Sequence, residues 1–270
     1  MDVEPTSEEI VDALVKRYDI LTHLTDGPVS QAELREMTDV SRATVHRAIT
    51  KFVDLHILEC DENKYRMTTF GERVLDRHRT YLDAIEEDCL IEQFVSRVPE
   101  GLSVDSPALK GAEMFFQQSG SADEAIYQNK SIIENANRVR KVLNGVMASY
   151  FLIHLEPAKY EGQEVEVIIP DRLADMVLNT YDEELRDLFG TGYFKLYKTS
   201  QPLKFSTIVA ETDEETYTIV KVHDEGSVAC AARNTTREAQ EWAESRYDEY
   251  LQASEEITFQ DNWTEATPID

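Results

Sequence analysis

The chain has 270 residues, with 27 Lys+Arg against 53 Asp+Glu, a formal net charge of -26 and a pI near 4.5. Its 41% hydrophobic content excludes wholesale disorder, and its length suits two small domains. Three scattered cysteines (Cys60, Cys89, Cys230) exclude a disulfide scaffold and a CxxC metal knuckle, and point to a reducing cytoplasm. The acidic start, MDVEPTSEEI, reads as neither a secretory signal nor a transit peptide, and no apolar run is long enough to span a membrane.

The predicted elements begin with an amphipathic helix over 7–24. Ile10, Leu14, Tyr18 and Leu21 recur at helical spacing behind a Thr6-x-x-Glu9 capping box, and Asp26-Gly27-Pro28 ends the segment. Ser30-x-x-Glu33 opens a short second helix. Ser41 caps a third that runs to about Leu55, with Val45, Ala48, Ile49 and Phe52 as its buried stripe. The period then changes to alternation. Ile57–Cys60 and Tyr65–Thr68 flank the turn Asp61-Glu62-Asn63-Lys64, which predicts a hairpin. Thr69-x-x-Glu72 predicts the cap of a fourth helix reaching about Val95, ended by Pro99-Glu100-Gly101. Helix, helix-turn-helix, hairpin, helix is the order of a winged helix-turn-helix domain.

Beyond it, Glu164–Ile169 predicts a strand leading into one helical stretch, Arg172–Phe189. Strands follow at Tyr193–Tyr197, Lys204–Ala210, Thr216–Val222 and Ser227–Ala232, and a last helix at Arg237–Gln252. A further strand is expected around Glu113–Phe116. The fold class expected is α+β: an N-terminal winged helix-turn-helix followed by a mixed α/β effector domain. The domains expected are 1–95 for the winged helix with its long fourth helix, 96–120 for a linker, 121–256 for the effector domain, and 257–270 for a loose tail.

Charge is divided unevenly along this plan. Residues 1–80 carry a net of -5 and residues 81–270 a net of -21, whereas residues 30–79 hold nine basic and nine acidic residues. The neutral segment is the one with the helix-turn-helix. Lysine is scarce, 11 against 16 arginines, which together with the acid resembles a surface adapted to high salt.

With Val45 at the centre of the buried face and 100° per residue, Ala43, Arg47, Thr50 and Asp54 of the third helix point outward. Thr44, His46 and Lys51 flank them, and Ser41 and Arg42 stand at the helix start. Short polar side chains and arginines in the first turns are what entry into a DNA major groove requires. Arg42 or Arg47 would pair with a guanine edge, Thr44 or Thr50 with a base or thymine methyl, and His46 with a base or phosphate. Lys51 is placed for backbone phosphate, as are the helix starts at Ser30–Gln31 and Ser41, while Lys64 and Arg66 lie on the wing. The competing use of such a helix is protein docking, which makes a non-enzymatic adaptor the alternative function.

The stretch VSQAELREMTDVSRATVHRAITKFVDLHILECDENKYRMTTFGERVL resembles the winged-helix domain of archaeal transcriptional regulators. IIENANRVRKVLNGV, GQEVEVIIPDRL and REAQEWAESRYDEYLQAS are similar to the effector domain of haloarchaeal regulators related to an archaeal methanogenesis regulator. The resemblance covers roughly residues 5–255. It implies a one-component transcription factor with one DNA-binding and one sensing domain, and leaves the ligand open. His56 departs from the glycine common after the recognition helix, and His tolerates positive φ better than most residues.

Such effector domains are distantly similar to the phospholipase D scaffold, whose chemistry needs HxK. None of the six histidines has a Lys at that spacing, and HExxH, GxSxG, P-loop and GxGxxG motifs are absent. The chain is therefore expected to be no enzyme, with no cofactor and no metal. Arg172, at a helix start after a strand, is the candidate holder of an anionic effector. Leu75, His78, Leu82, Ile85 and Cys89 follow a 3-4-3-4 spacing along the fourth helix, a seam for a second copy of the chain. The partners expected are a pseudo-palindromic double-stranded DNA operator, a second protomer and a small-molecule effector.

Overall fold

A computed structural model describes residues 4–98, 102–103, 106–117, 124–145, 155–160, 162–224 and 227–258. They form two compact units, which divide at Glu86/Glu87.

The first unit contains α1 (Ser7–Thr22), β1 (Val29–Ser30), α2 (Gln31–Met37), α3 (Arg42–Asp54), β2 (Leu58–Asp61), β3 (Lys64–Met67) and most of α4 (Thr69–Val95). The Thr6–Glu9 capping box starts α1, and α1 is kinked at Arg17 (φ -147°, ψ 24°). Val45, Ala48, Ile49 and Phe52 of α3 are all buried, as the helical period requires, against Leu14, Leu21, Leu34 and Ile57. Truncating fully buried Phe52 to Ala would cost about 3–5 kcal/mol. The wing pairs β2 and β3 antiparallel, and β1 adds a third strand, in the order β1-β3-β2. Its turn is a two-residue one, with Glu62 (φ 45°) and Asn63 (φ 64°) both left-handed, the geometry that matches strand twist.

The cap of α4 is one residue earlier than expected. Thr68, not Thr69, accepts the Gly71 N–H on its Oγ1 (2.9 Å), while its hydroxyl donates to the His56 carbonyl (2.6 Å). Tertiary contact decides this: the Thr68 N–H donates to the Ile57 carbonyl (3.0 Å), so the residue is fixed before the helix begins.

The second unit is built on an eight-stranded sheet in the order β11-β7-β6-β5-β8-β9-β10-β4. Its strands are β4 (Glu113–Phe116), β5 (Arg138–Val142), β6 (Glu164–Pro170), β7 (Phe194–Thr199), β8 (Ser206–Glu211), β9 (Thr216–Asp224), β10 (Ser227–Asn234) and β11 (Ser254–Ile257). The strands β5, β6 and β7 are parallel, and all other pairings are antiparallel. Helices follow from sequence as α5 (Glu124–Glu134), α6 (Glu156–Tyr160), α7 (Asp171–Thr180), α8 (Asp182–Thr191) and α9 (Arg237–Gln252).

One face of the sheet packs Val165, Val167, Ile169 and Leu196 against Ala174, Val177, Leu185 and Leu188 of α7 and α8. On the other face Val142, Ile168 and Tyr197 meet Tyr247 of α9. The last two turns of α4 also belong here: Ile91 and Phe94 pack with Leu109, Phe205, Val220 and Cys230.

The single helix expected over Arg172–Phe189 is two. The break falls at Tyr181, which turns into the core between α7 and α8. The stretch expected as a linker contributes Leu102, Ala108 and Leu109 to the core, together with β4. The expected tail starts too early, because β11 runs to Ile257, and Ile257 is buried. Residues 259–270 of that tail, and the stop at Pro99-Glu100-Gly101, lie outside the described residues.

Candidate nucleic-acid interface

Two capped helices build the candidate interface. Ser30 starts α2 by accepting from the Glu33 N–H (3.3 Å), and the Glu33 carboxylate accepts in return from the Ser30 N–H (2.7 Å). These bonds hold the Glu33 carboxyl below its ordinary pKa. Ser41 starts α3 by accepting from the Thr44 N–H (3.2 Å), with its hydroxyl 2.9 Å from that of Thr44. Each cap is worth about 1 kcal/mol and sets the direction of its helix. No acidic residue stands in the first turn of α3, so its positive dipole end faces solvent without a carboxylate of its own helix.

Arg42, Ala43, His46, Arg47, Thr50, Lys51 and Asp54 are all exposed. They trace the outward arc opposite the four buried anchors. Within it, local bonds restrict some side chains. Arg47 Nε donates to the Ala43 carbonyl (3.2 Å), and the Thr50 hydroxyl donates to the His46 carbonyl (2.9 Å). Lys51 Nζ lies 3.6 Å from the Glu9 carboxylate of α1, which is pulled below its usual pKa first by the Thr6 amide and then by Lys51. On the wing, Arg66 Nε pairs with Glu59 across the hairpin (2.8 Å), and Lys64 is exposed at the turn. Both pairs are half-exposed and worth at most about 1 kcal/mol, so a phosphate can replace either carboxylate. Ser30 and Gln31 are half-buried at the start of α2, and Thr44 is half-buried beside Ser41.

The fold separates the expected seam residues of α4. Leu75 is buried in the core of its own unit, and His78 is buried with its ring 5.2 Å from that of Tyr18. Leu82, Ile85 and Cys89 are exposed, as is Tyr81, which the spacing did not select. Arg172, the anion candidate, donates from Nη2 to the Asn144 carbonyl (2.8 Å) at the end of β5. Among the described residues no helix is long and apolar enough to cross a membrane.

Residues 8–88 match the model of the HVO_A0261 N-terminal domain. Residues 123–253 match the middle domain of the methanogenesis regulatory protein FilR1. No curated protein matches the chain. Among solved structures, the chain is similar to TrmBL2, described as an archaeal chromatin protein with a novel mode of DNA binding. That match has 14% identity, covers 93% of this chain and 100% of that one, and has a TM-score of 0.43. Nuc from Salmonella typhimurium, a phospholipase D family member, has 14% identity over 54% of this chain and 99% of its own, with a TM-score of 0.42. NucT from Helicobacter pylori has 10% identity over 54% of this chain and 98% of its own, with a TM-score of 0.41. These distant likenesses transfer no function. The two domain matches agree in kind: domain by domain, the chain is similar to archaeal winged helix-turn-helix transcriptional regulators that carry an effector domain of the methanogenesis-regulator type.

Proposed function

We propose that the chain binds a specific double-stranded DNA operator through α3 and the wing, as a homodimer in the cytoplasm, and that its second unit senses a small-molecule effector. The observation that carries this reading is the outward arc of α3. Arg42, His46, Arg47 and Thr50 are exposed on a helix whose opposite side is anchored by four buried residues. That arc sits in an electrically neutral segment, residues 30–79, of a very acidic chain. Arg42 or Arg47 reads a guanine edge, and His46 and Thr50 read neighbouring bases. Lys51, Lys64, Arg66 and the starts of α2 and α3 hold phosphates.

Exposed Tyr81, Leu82 and Ile85 on α4 support a two-fold partner, and two-fold symmetry requires a pseudo-palindrome with half-sites one or more helical turns apart. Three free cysteines suit a reducing compartment. Fluorescence anisotropy of the full chain on operator duplex tests the reading. Arg47→Ala should abolish the preference for operator over scrambled duplex. Equal affinity of the wild type for both duplexes, with a protein partner captured through α3, would favour the docking adaptor instead.

A further inference from the structure

On the face of the sheet that packs against α7 and α8, two buried lysines stand among apolar neighbours. On β5 the residues facing that side are Val139 and Lys141, and on β9 they are Ile219, Lys221 and His223. The register sets the two lysines on the same face on either side of β8, two residues out of step: Lys141 pairs with Ile208, Ile208 with Ile219, and Ser206 with Lys221. Val167 of β6 stands opposite Lys141, and Ala231 of β10 opposite Lys221. Both lysines are buried, at 4% and 7% exposure. Burying one ammonium costs several kcal/mol unless an opposite charge meets it.

Among the described residues no carboxylate lies within ion-pair distance of Lys221. Burial, and then the charge of Lys221, bring Lys141 down to about 7, and burial brings Lys221 down to about 8. Burial and Lys221 also hold His223 down to about 4, and its Nδ1 is buried without a hydrogen-bond partner among the described residues. Two buried lysines and a neutral imidazole thus share one face of the sheet.

The rim of this cluster is tied by hydrogen bonds. The Ser206 hydroxyl donates to Asn144 Oδ1 (2.9 Å) and accepts from the Asn144 N–H (3.1 Å). Asn144 Nδ2 donates to the Lys204 carbonyl (3.1 Å), and Arg172 holds the Asn144 carbonyl. Gly145 lies against the His223 ring. This loop leaves the carboxyl end of β5, where the strand order reverses between β5-β6-β7 on one side and β8-β9-β10 on the other, and such switch points are where open α/β sheets take ligands.

We propose that Lys141, Lys221 and His223 form a buried anion site for a phosphate group, free or carried by a small molecule. The proposal rests on reading the second unit as the effector domain and names the class of its effector. A phosphate dianion answers the buried Lys221 ammonium, with Lys141 across β8 and the His223 ring as further donors on the same face. Arg172 then acts by bracing the loop, not by holding the ligand itself.

Calorimetric titration of the full chain with inorganic phosphate, and separately with glycerol 3-phosphate, at fixed molar KCl and neutral pH, tests the site. Saturable uptake at one site per chain is expected, and Lys221→Met should weaken it by about tenfold or more. Tighter uptake of the ester would assign the site to a phosphorylated metabolite, and equal uptake to phosphate itself. A second readout covers a misfolded variant. Phosphate should raise the pKa of His223 in the wild-type chain, followed by NMR, since a nearby anion favours the imidazolium. No saturable uptake of either probe, or uptake that Lys221→Met leaves unchanged, would overturn the site. Uptake that leaves DNA affinity unaltered would overturn the effector role alone, and absence of DNA binding with uptake intact would overturn only the regulator reading.

Discussion

Gly71 is where the recognition helix, the wing and α4 are locked together, and Gly71→Ala should unlock them. A Cβ at this position would lie 2.2 Å from the Ile57 carbonyl oxygen, 3.0 Å from its carbon and 3.2 Å from the Ile57 Cα. All three are backbone atoms, so no side chain can swing aside. Relief requires the first turn of α4 to withdraw by roughly 1 Å, to ordinary contact distance. That movement lengthens the Thr68 N–H bond to the Ile57 carbonyl and the Thr68 hydroxyl bond to the His56 carbonyl. Two hydrogen bonds at about 1 kcal/mol each, with overpacking of about 1–3 kcal/mol, outweigh the ~1 kcal/mol that Ala gains over Gly in a helix. The net cost is about 3 kcal/mol, or roughly 10–20 °C in the midpoint of a unit this size. Thermal unfolding of the full chain by circular dichroism at molar KCl measures it. Gly190→Ala, where nothing lies within 4 Å of the new Cβ, is the control and should not lower the midpoint. A Gly71→Ala midpoint within error of the wild type would refute the packing argument.

Operator affinity should fall less steeply with salt than phosphate counting predicts, because the Debye length at molar salt is only ~3 Å and hydrogen-bond-range contacts survive it. A steep loss of anisotropy signal between moderate and molar KCl would contradict this. Leu82→Asp, at a position 40% exposed, should halve the solution mass without lowering the unfolding midpoint, whereas Leu75→Asp should unfold the first unit; an unchanged mass for Leu82→Asp would place the seam elsewhere. The buried lysines set a pH dependence. Their folded pKa values, about 7 and about 8, lie below the ordinary 10.5, so the unfolded chain binds more protons across that interval. Ligand-free stability should therefore rise as pH increases from about 7 towards 10.5, and Lys141→Met with Lys221→Met should flatten the rise in denaturant midpoints. A wild-type profile that falls over this range would have the wrong sign.

The helix-turn-helix was legible because its signals are local. The α3 stripe has an unbroken helical period, Ser30 and Ser41 are caps, and Glu62-Asn63 is a turn between alternating runs. The elements that escaped depend on partners distant in sequence. Strand β5 carries Arg138, Arg140 and Lys141 and so lacks an apolar pattern. Its arginines are matched by Glu164, Glu166, Glu211 and Glu244 from neighbouring elements. The segment Ser254–Ile257 has no strand composition, but backbone pairing along the edge of β7 makes it one. Tyr181 breaks a helix without Gly or Pro because its ring is buried between α7 and α8. On α4, heptad spacing selects a face without saying which wall it meets, and Leu75 and His78 met their own core. The burial of Lys141 and Lys221 likewise follows from strand order, which sets them on one face on either side of β8.

Selection of duplexes from a random library by the full chain at molar KCl tests the central claim most directly. The wild type should enrich one pseudo-palindrome whose half-sites lie whole helical turns apart, and the Arg42→Ala, Arg47→Ala double variant should enrich none. Failure of the wild type to enrich any sequence, or enrichment of the same sequence by the double variant, would contradict sequence reading by α3.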